Sequence, residues 1–205
     1  MVAHAFLLFD TAIGRCGIAW GEHGVTGLQL PEGREAATRA RLLERFPGAS
    51  EVPPPPAIQS TLENIVALLR GDASDLSRTA LDMARVPPFH RRVYRVAREI
   101  PPGSTLCYGE LASRLGAPRS ARAVGQALGR NPFLIVVPCH RVLAAGGKVG
   151  GFSGNGGIAT KLRLLAIEGA RASEGPSLFD HDGAFGFDPG VAVEHVRASD
   201  ETPAA

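Results

Sequence analysis

The chain is short of cysteine, and the three it has, Cys16, Cys107 and Cys139, show no paired spacing. That excludes a disulfide framework and a zinc ribbon. Long apolar runs are also missing. The stretch from Ala5 to Phe9 stops at Asp10 and has no basic segment before it, so it is neither a membrane span of about 20 residues nor a secretory leader. It reads as a strand, and the protein as soluble and cytoplasmic, where a reducing compartment keeps thiols free. Net charge is nearly absent, at +2, while 44% hydrophobic composition over 205 residues supports a real core in one large domain or two small ones.

The small net charge conceals an uneven distribution. Lys plus Arg against Asp plus Glu number 8 and 10 in residues 1–85, 12 and 3 in residues 86–170, and 2 and 7 in residues 171–205. A middle block of +9 suits a phosphate backbone, which attracts Arg and Lys regardless of base sequence; a solvated basic face gives the same count.

Residues 5 to 30 hold three short apolar stretches separated by Gly14, Gly21 and Gly24, the pattern of an antiparallel meander. A helix is predicted from about Glu35 to Phe46, then a short polyproline spacer at Pro53 to Pro56. A second helix carries Ile58, Leu62, Ile65, Val66 and Leu69 on one face and ends before Gly71. This half reads as a small α/β support domain, with Cys16, His4 and His23 structural or exposed. After Pro87-Pro88 a further helix is predicted, with Phe89, Val93, Val96 and Ile100 inward and Arg91, Arg92, Arg95 and Arg98 mostly outward. Gly109 to Leu115, a turn through Gly116-Ala117-Pro118, and Ser120 to Gly129 then read as helix-turn-helix. Arg119 and Arg122 lie on its second helix and Arg130 follows it.

Residues 146–157 hold seven glycines, yet they do not make a phosphate loop. Val149 follows Lys148 where Ser or Thr is required, and no strand with a following acidic residue supports a dinucleotide site. The loop instead lets backbone approach a flat ligand closely. A final helix is expected from about Ile158 to Ile167, stopping at Gly169. Glu168 then sits at the negative end of its dipole, at a cost of about 0.3–1 kcal/mol. It is either a surface residue or a buried partner of His140. The acidic residues 171–205 read as a disordered tail, or as a short helix around Phe185 to Val196.

The junction Phe133-Leu134-Ile135-Val136-Val137-Pro138-Cys139-His140-Arg141 concentrates the chemistry. Leu134 to Val137 has the length and branching of a buried strand, and Pro138 ends it by lacking the ladder N–H. Cys139 and His140 share a pocket only if the backbone turns there, since adjacent strand residues face opposite ways. A thiol beside His and Arg is in a setting that favours thiolate.

The string Pro138-Cys139-His140-Arg141-Val142 resembles the active-site signature of the O6-alkylguanine-DNA alkyltransferases. The similarity extends to Tyr108-Gly109-Glu110-Leu111-Ala112, Ala121-Arg122-Ala123-Val124-Gly125, Asn131-Pro132, Val149-Gly150-Gly151-Phe152-Ser153, Gly156-Gly157, Lys161 and Leu164 to Gly169, all in the family's order. It is strong over about residues 86–170, looser over 1–85 and absent after about 172. Ser153 to Gly157 runs two residues longer than the shortest family versions.

The resemblance implies an α+β fold: a small N-terminal α/β, ribonuclease-H-like domain over 1–85, then a winged-helix-like, helix-turn-helix DNA-binding domain over 86–170 that carries the acceptor cysteine. It further implies a monomer that binds double-stranded DNA containing O6-alkylguanine, and leaves open O4-alkylthymine as a second substrate. Repair is by a single, self-inactivating transfer of the alkyl group, without metal or cofactor. Cys139 is then the nucleophile, activated by His140 through a water molecule. Glu168 orients the imidazole, Tyr108 donates a proton to the leaving base, and Asn131 braces the turn. Arg122 fills the space of the flipped nucleotide from a helix in the minor groove, with Ala121, Arg119 and Arg130 at the DNA. Pro138, Val142, Gly150, Phe152, Ser153 and Leu134 form the substrate pocket, and Arg141 is structural. The rival readings are a cysteine hydrolase, for which no oxyanion site is identifiable, and a non-catalytic alkylated-DNA sensor or DNA-binding regulator. Non-catalytic relatives replace the nucleophile, whereas Cys139 is present here.

Overall fold

The computed structural model describes residues 5–72 and 74–170. His4 and the acidic C-terminal segment, with its expected tail or helix, lie outside the described residues. Within them the fold is mixed α and β, a small sheet followed by a group of helices.

Strands β1 (Ala5–Thr11), β2 (Gly14–Gly21) and β3 (Gly24–Gln29) form the meander that the glycine spacing predicts. Both connections are two residues long, and Gly14 and Gly24 hold φ of 119° and 115°, which only glycine adopts without strain. A two-residue strand, β4 (Ser50–Glu51), pairs parallel to β1 and completes the order β3-β2-β1-β4. It is too short for any periodicity to reveal it.

The sheet is covered on both faces because its strands are apolar on both. Phe6, Leu8 and Ala19 pack with Leu42 and Phe46 around helix α1 (Glu35–Arg45). Ala5, Cys16, Ile18 and Trp20 face α2 (Pro56–Arg70), whose buried stripe is Ile58, Leu62, Ile65 and Leu69. Pro56 opens α2, where its missing N–H costs nothing, and Gly71 closes it at φ 92°. The same cluster continues into the second half through Val93, Tyr94, Leu111, Val124 and Phe133, so residues on either side of position 86 share one core. Each large side chain so buried contributes about 1.5–3 kcal/mol.

Helix α3 (Pro88–Arg98) follows Pro87 as expected, with a correction to its arginines. Arg91 donates to the Val86 and Ala84 carbonyls, Arg92 to Leu115, and Arg98 to Leu76, Ser77 and Thr79. They brace chain turns rather than simply facing water, because a guanidinium has donors enough to satisfy several loop carbonyls at once. Tyr94, also buried, donates its hydroxyl to Ala127 O at 2.9 Å and meets the Phe133 ring edge-on. Strand β5 (Leu106–Cys107), α4 (Tyr108–Arg114), a 3-10 turn at Pro118–Ser120 and α5 (Ala121–Gly129) make the expected helix-turn-helix. β5 pairs with β6 (Val142–Leu143), and α6 (Gly157–Ile167) closes the described chain.

The expected strand at Leu134 to Val137 is not there. The run folds back on itself: Val136 N donates to Leu134 O at 2.9 Å and Val137 N to Phe133 O at 2.8 Å, with Ile135 at φ 71°. A β-branched residue in that region is strained. Asn131 offsets the strain by supplying, from its side chain, the partners that a neighbouring strand would give. Its Oδ1 accepts from Phe133 N and its Nδ2 donates to Val137 O, each at 2.9 Å. All five residues are buried, and an apolar run reports burial without reporting conformation.

Gly27 on β3 has no room for a side chain: a Cβ there would lie 2.5 Å from Phe46 Cζ and 3.3 Å from the Pro132 oxygen. Gly27→Ala is expected to lower unfolding free energy by about 1–3 kcal/mol through overpacking, read from urea denaturation at fixed pH.

Candidate active site

Three elements converge on Cys139. The folded-back turn delivers it to a 3-10 turn, Cys139–Arg141, which lets consecutive residues project inward as no strand would. Pairing of β5 with β6 sets Tyr108, the first residue of α4, beside that turn. The buried face of α6 lies behind it.

The Cys139 side chain is buried, and Asn131 Nδ2 donates to its Sγ at 3.5 Å. Burial pushes the thiol up from its ordinary value, opposed by the Asn131 hydrogen bond and by the charge of Lys161. This bears against the expectation that the setting of His140 and Arg141 favours thiolate. The Arg141 guanidinium is committed elsewhere: Nε and Nη2 grip Glu168 at 2.8 Å each, and Nη1 donates to Ile100 O at 2.6 Å. His140 is fully buried with Nε2 2.8 Å from Glu168 Oε1. Burial lowers its pKa, only partly opposed by Glu168. Burial alone would raise the Glu168 carboxyl, but the hydrogen bonds from His140 and Arg141 overcome it and bring it to about 2. An ionised Glu168 requires the proton on Nε2, which leaves Nδ1 as an acceptor. Nδ1 is buried and has no partner among the described residues. Of the two positions open to Glu168, the buried one holds, with its side chain 3% exposed.

Lys161 went unremarked by pattern except inside the family string. It is fully buried, donating Nζ to Val142 O at 2.6 Å. Burial lowers its pKa to about 8, against the pull of Cys139. The signal was available: 161, 164, 165 and 168 fall on one stripe of α6, so a lysine occupies an apolar face.

A cavity of about 270 Å³ opens over Cys139, walled by Tyr108, Gly125, Leu128 and Gly129 on one side and Gly151, Phe152 and Ser153 on the other. The Tyr108 ring lies between Gly125 and Gly150, where an added Cβ would be 3.7 and 3.6 Å away. Burial, with Cys139 next, raises the Tyr108 hydroxyl. Phe152 and Ser153 line the cavity as expected. Leu134, Pro138 and Val142 do not: they are buried behind the turn, and Pro138 borders a second cavity of about 300 Å³ on its far side. Gly150 backs Tyr108 rather than lining the cavity. Gly125, Leu128, Gly129 and Gly151 were missed, since a glycine or leucine announces no chemistry.

Arg119, Arg122 and Arg130 are exposed and Ala121 is half-buried at the start of α5. None of the three arginines has a hydrogen bond or ion pair among the described residues. Arg122 is three residues before Gly125, hence one turn along the helix on the cavity side. The basic block is smaller than its count. Arg91, Arg92, Arg98, Arg141, Lys161 and Arg163 hold backbone carbonyls, which leaves about half the cations for a polyanion. No His, Cys, Asp or Glu group among the described residues is arranged to hold a metal, and no described helix is long and apolar enough to cross a membrane.

Residues 88–170 match the family described as 6-O-methylguanine DNA methyltransferase, DNA binding domain. The methylated-DNA–protein-cysteine methyltransferase of Methanothermobacter thermautotrophicus is 41% identical over 153 residues, covering 75% of this chain and 78% of that protein. Its counterpart from Mycolicibacterium paratuberculosis is 37% identical, covering 83% and 96%. Among solved structures, the Mycobacterium tuberculosis O6-methylguanine methyltransferase superposes with a TM-score of 0.65 at 35% identity, covering 86% of this chain and 99% of that one. A structure of the Mycobacterium tuberculosis protein in complex with DNA gives 0.64 at 34% identity, covering 80% and 92%.

The depressed Glu168 carboxyl carries a pH signature. Its contribution to stability is fully present above the unfolded value of about 4.3 and is lost as pH falls through the folded value of about 2. Glu168→Gln is expected to cost about 3–5 kcal/mol at neutral pH, because Arg141 is left buried without its counter-charge. It is also expected to flatten the acid limb of stability in that window, both read from denaturant melts across pH.

Proposed function

This chain belongs to the methylated-DNA–protein-cysteine methyltransferase family, and from that we infer that it repairs O6-alkylguanine in double-stranded DNA by moving the alkyl group to its own Cys139. The observation that carries the reading is the cavity itself. A thiol lies at its floor, held by Asn131 and backed by the His140–Glu168 pair, and a helix bearing unpaired Arg122 forms its wall. The O6 atom of a stacked base is out of reach, so the nucleotide enters the cavity extruded from the duplex. Arg122, one turn from the wall, takes the vacated space, while Arg119, Arg130 and the start of α5 at Ala121 meet the backbone.

In the transfer, the Cys139 proton passes across a water molecule to the free Nδ1 of His140. Sγ then attacks the alkyl carbon, the S–C bond forms as the C–O6 bond breaks, and Tyr108 protonates the departing guanine on its ring; the proton first taken by His140 returns through solvent to the Tyr108 oxygen, so both side chains end neutral. The raised Tyr108 hydroxyl is protonated at neutral pH, as a donor must be. In this reading Ser153 with nearby backbone contacts O6; Ser153 and Gly151 both line the cavity. The thioether is stable and no step of this chemistry regenerates the thiol, so each molecule acts once.

The same inference gives the chain a ribonuclease-H-like support over residues 1–85 and a winged-helix-like acceptor domain over 86–170, in a cytoplasmic monomer. The sensor alternative is disfavoured by the nucleophile, which is present and in the cavity.

Mixing the protein with duplex DNA carrying one O6-methylguanine is expected to add one methyl group per molecule, mapped to Cys139 by intact and peptide mass spectrometry, with no second turnover. Tight binding without a mass change would instead establish a sensor. Cys139→Ala is expected to abolish transfer while retaining binding to the damaged duplex. Arg122→Ala is expected to slow transfer from duplex by more than tenfold, about 1.4 kcal/mol, and to leave reaction with free O6-benzylguanine nearly unchanged; equal loss on both substrates rules out the extrusion role.

A further inference from the structure

We infer that Arg45, on the support half and outside the basic block, is a positioning residue for the acceptor turn, holding Pro132 and through it the Asn131 side chain against Cys139. The inference rests on the reading of Cys139 as acceptor. It concerns a contact made from α1, where nothing in the resemblance over residues 86–170 assigns a role.

The other arginines in the middle of α1 behave as surface residues: Arg39 pairs with Glu35 and Glu51, and Arg41 with Glu44. Arg45 is different. Its guanidinium turns inward, with Nη1 donating to Leu28 O at 3.2 Å and Gln29 Oε1 at 3.1 Å, and Nη2 donating to Pro132 O at 3.4 Å. It lies over the Phe46 ring, 5.4 Å from the centroid, and has no carboxylate partner among the described residues. Burial, then the charge of Arg41, lowers its pKa. Taking a cation partly out of water against neutral acceptors alone is costly, and solubility does not require it.

What the arrangement secures is the Pro132 carbonyl. That oxygen accepts from Leu28 N at 2.9 Å as well as from Arg45, so both lone pairs are used. The peptide joining Pro132 to Phe133 is thereby fixed between β3 and α1. The same peptide's N–H donates to Asn131 Oδ1, which sets the plane of the carboxamide and aims Nδ2 at Val137 O and Cys139 Sγ. Loss of Arg45 frees one side of this peptide, and the Asn131 contact to sulfur, already the longest in the set at 3.5 Å, is the first to loosen.

The test uses the full chain with Arg45→Met and Arg45→Lys, with Arg41→Ala as control. Two readouts are taken: the rate of methyl transfer from O6-methylguanine duplex, and the pH profile of Cys139 alkylation by iodoacetamide. Arg45→Met is expected to slow transfer between about tenfold and a hundredfold, the scale of a displaced reacting group. It is also expected to move the alkylation profile to higher pH, since a lost hydrogen bond to sulfur disfavours thiolate. Arg45→Lys recovers part of both effects and Arg41→Ala changes neither. Combined with Asn131→Ala, Arg45→Met adds little further loss, because the two act through one contact. An unchanged pH profile in either folded Arg45 variant, or multiplicative losses in the double variant, would overturn the inference. If the unaltered protein transfers no methyl group, the repair reading fails separately, while the iodoacetamide profile still decides the role of Arg45.

Discussion

Glu168 accepts hydrogen bonds from His140 and from Arg141 in a region where all three side chains are shielded from water. A carboxylate placed there alone would be protonated by the cost of burial, and a guanidinium placed there alone would be unstable. Together they hold one another charged, and with both in place His140 is constrained as well: a carboxylate accepts only, so the imidazole presents N–H to it and a lone pair to the other side. One interaction thus fixes a charge state, a ring orientation and a tautomer. It also fixes geometry at longer range. Arg141 reaches the Ile100 carbonyl at the end of α3, and Glu168 caps the end of α6, so the two helices that frame the second half meet at the acceptor turn.

The carboxylate cannot do this from an exposed position, and the requirement for burial explains why the sheet of the first half shares its core with the helices of the second. The acceptor turn carries five apolar residues in a strained, folded-back path. Such a path persists only where surroundings over-determine it. Leu28 on β3 supplies an N–H to Pro132, Tyr94 supplies a ring against Phe133, and Asn131 closes the turn from within. Remove the sheet and the turn loses one wall and one hydrogen-bond donor at once.

Much of this was legible in the residues. The meander announced itself through Gly14, Gly21 and Gly24, α2 through its apolar stripe and Gly71, and the helix-turn-helix through Gly116-Ala117-Pro118. The failures share a physical cause. Hydrophobic pattern reports that Leu134 to Val137 is buried, but its conformation is dictated by Asn131, a residue outside the run. Charge counts report that arginines are present on α3, but not that loop carbonyls at Ala84, Val86 and Leu115 claim their donors. The neighbours of Cys139 in sequence suggested a thiolate, whereas its neighbours in space are Asn131 and, by charge, Lys161. Each error replaced a tertiary contact with an adjacency along the chain.

Lys161 and Cys139 are coupled through charge. Burial disfavours charge on both Cys139 and Lys161, raising one pKa and lowering the other, and each charge when present favours the other. A thiolate at Cys139 is therefore cheapest while Lys161 is protonated, and an ammonium at Lys161 is cheapest while Cys139 is ionised. Burial favours the protonated thiol, opposed by the Asn131 hydrogen bond and the charge of Lys161. Burial disfavours charge on the sulfur, and the fold sets against it a neighbouring cation and an amide N–H. Reactivity then depends on what enters the cavity rather than on the thiol alone.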